Sequence, residues 1–110
     1  MSDMWRVAVL SKSAIVPSTA LILAAFRRHG HEPLLLEILR GVIALRDGEE
    51  LVSFAGIAAE EFRAERCIVI PRVGSFLPEL GLALLGALER RGAVTPNTSG
   101  AIRCARNKRA

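Results

Sequence analysis

The 110-residue sequence predicts an α/β fold: an open, mainly parallel sheet with helices on both faces and a small hairpin excursion. Three observations carry this prediction. Short β-branched runs, VAVL near the start and CIVI at 67–70, alternate with segments of helical apolar periodicity. Proline or glycine punctuates most changes of period, at Pro17, Gly30, Pro33, Pro71, Gly92 and Pro96. Asp47-Gly48 lies between two further apolar runs and marks a hairpin turn.

Taken in order, residues 4–10 form a first strand, with Trp5 at its entry and Val7, Val9 and Leu10 as its apolar positions. The polar turn Ser11-Lys12-Ser13 follows. Pro17-Ser18-Thr19 opens a helix that runs to His29, with Ser18 as the expected N-cap. Ile22 and Phe26 share a face, Arg27 and Arg28 suit the negative end of the helix dipole, and Gly30 is the expected C′ residue. Residues 33–39 contain the second strand. Residues 42–46 and 51–54 pair as the hairpin, with Glu49 and Glu50 lengthening its loop. Residues 57–66 form a short helix or turn with an acidic, solvated face.

The chain reads as organised around the stretch RCIVIPRVGS, residues 66–75. Its continuous apolar run reads as a strand covered on both faces, and Pro71 is expected to stop it. A second long helix runs from about Pro78 to Arg91, with Leu77, Leu80, Leu84, Leu85 and Leu88 at helical spacing. Gly81 and Gly86 permit close approach of a neighbour, and Gly92 ends the helix. Residues 93–95 read as a short fourth strand, and a last helix occupies about 100–107.

Length allows one domain, residues 1–110, with one modest core. A hydrophobic content of 51% with a mean hydropathy of +0.34 is high for a domain this small. Some apolar surface is therefore expected to meet another domain or a second copy, as a homo-oligomer. The longest apolar run is interrupted by glycines and falls short of the ~20 residues that span a bilayer. MSDMWR lacks a signal peptide's apolar core, so a cytoplasmic location is expected, with no membrane partner.

Cys67 and Cys104 are too few for a disulfide framework or a metal site. The net charge of +4 concentrates at Arg103, Arg106, Lys108 and Arg109. With few aromatics and no reading motif, it does not argue for nucleic acid. The chain has no Walker A loop, no dinucleotide glycine fingerprint, no nucleophile elbow and no zinc motif. It also lacks a convincing acid–base pair of carboxylates.

What remains is the set of loops after the strands: Ser11 to Ser13, Arg72 to Phe76, and Asn97 to Ser99. In open parallel sheets ligands bind outside the carboxyl ends of the strands, where helix N-termini favour anions. Arg72 adds a cation there, so a carboxylate or phosphate is the expected ligand. The competing reading of Arg72 is a structural ion pair.

LS followed by ST at a helix start, then RHGHEP, IPRVGS, and the closing VTPNTSGAIRCARNK together resemble the N-terminal domain of the RimK-like alpha-L-glutamate ligases of the ATP-grasp superfamily. The resemblance covers essentially the whole chain and is loosest in the hairpin. It implies a Rossmann-like pre-ATP-grasp domain. Such enzymes join a carboxylate to an amine with ATP and magnesium, through an acyl phosphate. This domain supplies one wall of the substrate site, with Ser11, Lys12, Arg72, Gly74 and Ser75 as substrate-side residues and no catalytic residue of its own.

Residues 98–110 would lead into the ATP-grasp region, where Lys108 resembles a lysine that approaches a nucleotide phosphate. Asn107 stands where the family usually has aspartate. ATP and magnesium would be held mainly by the ATP-grasp domains, as missing or separate partners, so the chain alone is expected to be inactive, either truncated or split from its partner. The alternative is a stand-alone, non-catalytic binding or scaffold domain with the same fold. A receiver-like signalling domain is disfavoured by the lack of a strand-end aspartate.

Overall fold

A computed structural model of the chain describes residues 5–58, 62–72 and 77–95. The element order is β1 (Arg6–Ser11), α1 (Pro17–Arg28), β2 (Leu34–Glu37), β3 (Gly41–Arg46), β4 (Glu49–Phe54), β5 (Cys67–Arg72) and α2 (Pro78–Arg90), with 3-10 turns over Ile38–Arg40 and Ala64–Arg66. The main sheet is parallel, in the order β2-β1-β5, and β3 and β4 form a separate antiparallel pair. The expected strand at 93–95 is present as a single parallel bridge between Val94 and Ile68.

The strand register sorts side chains onto two faces. Ala8, Leu10, Leu36, Cys67 and Val69 share one face and join Leu84, Leu85 and Leu88 of α2 in a single buried cluster. Each of those three leucines is fully buried and contributes about 1.5–3 kcal/mol relative to an exposed side chain. Phe54, Ile38 and Ala64 close the cluster from the hairpin side, and Phe62 packs edge-on against Phe54. The opposite face carries Val9 and Ser11, with α1 laid across it through Thr19 and Leu23. Helices therefore cover both faces, as the alternating pattern predicts.

Several local expectations need correction. Ser18 is not the cap of α1: Val16 holds that position with no side-chain bond, and Pro17 occupies the first helical turn. Proline's missing N–H is one of the unsatisfied donors at a helix start, so a capping hydroxyl is less needed. The buried stripe of α1 is Thr19 and Leu23, with Ile22 and Phe26 half-buried beside it. Gly30 ends the helix as expected: its N–H donates to the Arg27 carbonyl at 3.1 Å and the His31 N–H to the Phe26 carbonyl at 3.0 Å.

Pro71 does not stop β5, which continues through Arg72. The N–H groups of a strand point alternately to its two sides. The Val69 N–H donates toward Val94, so residue 71 also faces that side, away from β1. The missing N–H of Pro71 costs the β1 ladder nothing.

The hairpin loop is shorter than expected. Asp47 and Gly48, with φ of 53° and 78°, form the two-residue mirror-image turn whose twist matches the flanking strands, and Glu49 and Glu50 belong to β4. Between β4 and β5 the only described helical turn is Ala64–Arg66; residues 59–61 lie outside the described residues. In α2, Leu77 and Leu80 sit off the buried face, which is carried by Leu82, Leu84, Leu85 and Leu88. The helix expected at 100–107, with Cys104, lies outside the described residues.

Candidate functional site: the carboxyl edge of the sheet

The three parallel strands end together. Ser11 of β1 pairs with Glu37 of β2 on one side and with Arg72 of β5 on the other. The edge thus reads Glu37, Ser11, Arg72 across the sheet. Arg72 is exposed, as is Lys12, which follows Ser11. α1 and α2 both begin just beyond this edge, so their first N–H groups add positive potential there.

The side chains take different parts. Ser11 is 1% exposed and Thr19 is fully buried; their hydroxyls share a hydrogen bond of 2.6 Å. This bond ties the end of β1 to the first turns of α1 and fixes the start of the loop that carries Lys12. Glu37 forms an ion pair of 3.4 Å with Arg40 in the following turn. At the entry to α2, Leu77 adopts a left-handed backbone, φ 43°, and its carbonyl accepts the Gly81 N–H at 3.0 Å. Gly74, Ser75 and Lys108 lie outside the described residues.

Thr19 and the Glu37–Arg40 pair were not singled out from the sequence. Thr19 reads as one more helix-start hydroxyl, and only the fold shows that it faces Ser11. Glu37 reads as an interior residue when the strand is carried to position 39; an acid closing an apolar run was the available signal.

Chemically, the edge presents Arg72 and Lys12 beside one carboxylate that already has a partner. Such a surface suits an anionic group held by charge-assisted hydrogen bonds. Among the described residues no cluster of His, Cys, Asp and Glu is placed to hold a metal ion. Cys67 is the described free thiol, buried at the start of β5, and burial pushes it up to about 11 against the opposing pull of Arg6. A thiol so protonated is no nucleophile at neutral pH.

A groove of about 390 Å³ lies elsewhere, lined by Leu51, Val52, Phe62, Arg63, Ala64, Glu65 and Arg91. Leu51 and Val52 belong to β4, whereas Phe62 to Glu65 precede the start of β5 and Arg91 follows the end of α2, at the opposite end of β5 from Arg72. Size alone does not make it the site. No described helix among the folded elements is long and apolar enough to cross a membrane.

Comparison with known proteins agrees with this architecture. The RimK PreATP-grasp domain family matches residues 5–102. A probable alpha-L-glutamate ligase of Xanthomonas oryzae pv. oryzae is 34% identical over 103 residues, covering 94% of this chain and 34% of the relative. Similar proteins of the same description occur in Thioalkalivibrio sulfidiphilus, 33% identical, and Pseudomonas paraeruginosa, 32% identical; each is matched over 94% of this chain and 33% of its own length. The chain spans about a third of the length of these curated relatives. With a parallel sheet, helices on both faces and a family match over nearly all its residues, the chain belongs to the RimK PreATP-grasp domain family.

Proposed function

We propose that the chain is the substrate-side, N-terminal domain of a cytoplasmic ATP-dependent carboxylate–amine ligase of the RimK type, with glutamate ligation as its reaction. The observation that carries this reading is the coverage: nearly all of the chain matches only about a third of proteins described as probable alpha-L-glutamate ligases. The rest of such an enzyme, the ATP-grasp portion, is the partner this domain requires. In the complete enzyme ATP, with magnesium, supplies the chemistry that activates the carboxylate as an acyl phosphate.

This chain's own residues bind and orient. Arg72 and Lys12 engage the carboxylate of the substrate from the sheet edge, supported by Gly74 and Ser75, which follow β5 in the sequence. Ser11 acts through the loop it anchors to Thr19. Lys108 approaches a nucleotide phosphate. The described residues fit an anion better than a metal ion, since they offer cations and no ligand cluster. On this division of labour the domain alone neither binds ATP tightly nor turns over.

Reconstitution tests the proposal. The isolated chain, titrated with ATP and magnesium in a calorimeter, is expected to give no saturable heat. Joined to the ATP-grasp portion of the Xanthomonas oryzae relative, it is expected to support glutamate-dependent ATP hydrolysis. Tight nucleotide binding by the chain alone overturns the proposal. A well-folded fusion without activity favours the stand-alone scaffold instead.

A further inference from the structure

Among the described residues the outer edge of β3 is open. The tight turn makes Arg46 and Glu49 a hydrogen-bonded pair, and the Ala55 N–H donates to the Arg40 carbonyl at 3.0 Å. Even-numbered residues of β3 therefore bond to β4, whereas Gly41, Ile43 and Leu45 turn their N–H and C=O groups the other way. Among the described residues no strand pairs with that side. The edge is also apolar on both faces: Val42, Ile43 and Leu45 are exposed, Leu45 by 78%. No charge lies between Gly41 and Leu45, and no proline, bulge or inward charge protects the edge.

We infer that β3 is a self-association edge, and that its occupant is β3 of a second copy, paired antiparallel about a two-fold axis at Ile43. This register uses every outward group: Ile43 faces Ile43 of the second copy, and Gly41 faces Leu45 at both ends of the seam. Leu45, exposed in its own copy, then lies beside a residue without a side chain. The Cβ position of Gly41 is filled by Leu84, whose methyl groups lie 2.6 Å from it, so Leu45 of one copy abuts the apolar roof of the other. On the second face Val42 meets Ala44, an apolar pair. Arg46 and Arg40 meet at the seam's ends, but each has an acid alongside: Glu49 opposite Arg46 and Glu37 paired with Arg40. The inference stands apart from the ligase reading, because it needs only the hairpin.

The test is the mass of the purified 110-residue chain by light scattering across a concentration series, with folding of each variant checked by circular dichroism. The wild type is expected to reach the dimer mass. Ile43→Lys, which places two ammonium groups at the axis, is expected to be monomeric, whereas Ser53→Lys on the other strand keeps the dimer. Should Ile43→Lys fail to fold, cysteine pairing decides. In a Cys104→Ser background, Ile43→Cys is expected to oxidise to a disulfide dimer, since the paired Cα atoms would lie about 5.5 Å apart. Leu45→Cys is expected not to, its two copies being about 14 Å apart along the seam. A chain monomeric throughout overturns the inference. So does a dimer indifferent to Ile43→Lys, or association only with a separate ATP-grasp polypeptide that shields Ile43.

Discussion

Arg90 and Glu50, forty positions apart, meet through two parallel contacts: Nε to Oε1 at 2.8 Å and the terminal nitrogen to Oε2 at 3.1 Å. The last turn of α2 thereby grips the first residues of β4. Arg91 adds a second contact to Glu49, 3.3 Å away. The hairpin is thus held at its turn end by two consecutive arginines and at its base by Phe54 in the core.

The hydrogen bonds from Arg90 hold the Glu50 carboxyl below its ordinary value. A carboxyl depressed in the folded state stabilises the fold above its unfolded pKa and loses that stabilisation as pH falls through its folded pKa. Glu50→Gln is expected to lower Tm slightly at neutral pH and to converge with the wild type in acid. Melts of both proteins from pH 7 downward check this. A constant gap at every pH would place the effect in packing instead.

Thr19→Val keeps the shape of a fully buried residue and removes one half of the Ser11–Thr19 hydrogen bond. The Ser11 hydroxyl is left with the Ser13 carbonyl at 3.5 Å, which is too long to compensate. The expected loss is about 1–3 kcal/mol by denaturant titration. Adding Ser11→Ala is expected to recover part of it, because no buried hydroxyl then remains unpaired.

A methyl group on Gly41 would meet both Leu84 methyls at 2.6 Å and Phe54 at 3.1 Å. Gly41→Ala is therefore expected to destabilise by about 1–3 kcal/mol through overpacking. Leu84→Ala in the same chain is expected to make Gly41→Ala nearly neutral. Simple additivity of the two losses would show that the clash is relieved elsewhere.

Arg72 is exposed at the strand end, so Arg72→Ala is expected to leave Tm of the isolated chain within a degree or two of the wild type. In the fusion with an ATP-grasp portion, the same change is expected to raise KM for the carboxylate substrate several-fold. A collapse of Tm with unaltered kinetics would make Arg72 a structural residue.

The sheet, both long helices and the hairpin were legible because each rests on local pattern: β-branched runs, leucines at helical spacing, and Asp47-Gly48. The misplacements concern what only neighbours decide. Pro71 looks like a strand terminator until Val94 shows which side of β5 its nitrogen faces. Leu77 and Leu80 fit the helical period of Leu84 and Leu88, but the sheet and the hairpin cover only part of α2, and the spacing cannot say which part. At the candidate edge, Lys12 after β1 and Arg72 at the end of β5 were legible only as cations near strand ends. The hydroxyl pair of Ser11 and Thr19 was not, because one residue reads as a loop polar group and the other as a helix start.

The central strand of the sheet is also the first to be synthesised. β1 finds β2 early, but its other partner, beginning at Cys67 opposite Arg6, arrives some sixty residues later. At ribosomal rates of about 5–20 residues per second, that flank of β1 stays uncovered for about 3–12 seconds. The strand most deeply enclosed in the finished domain is therefore without one of its two native neighbours throughout this interval.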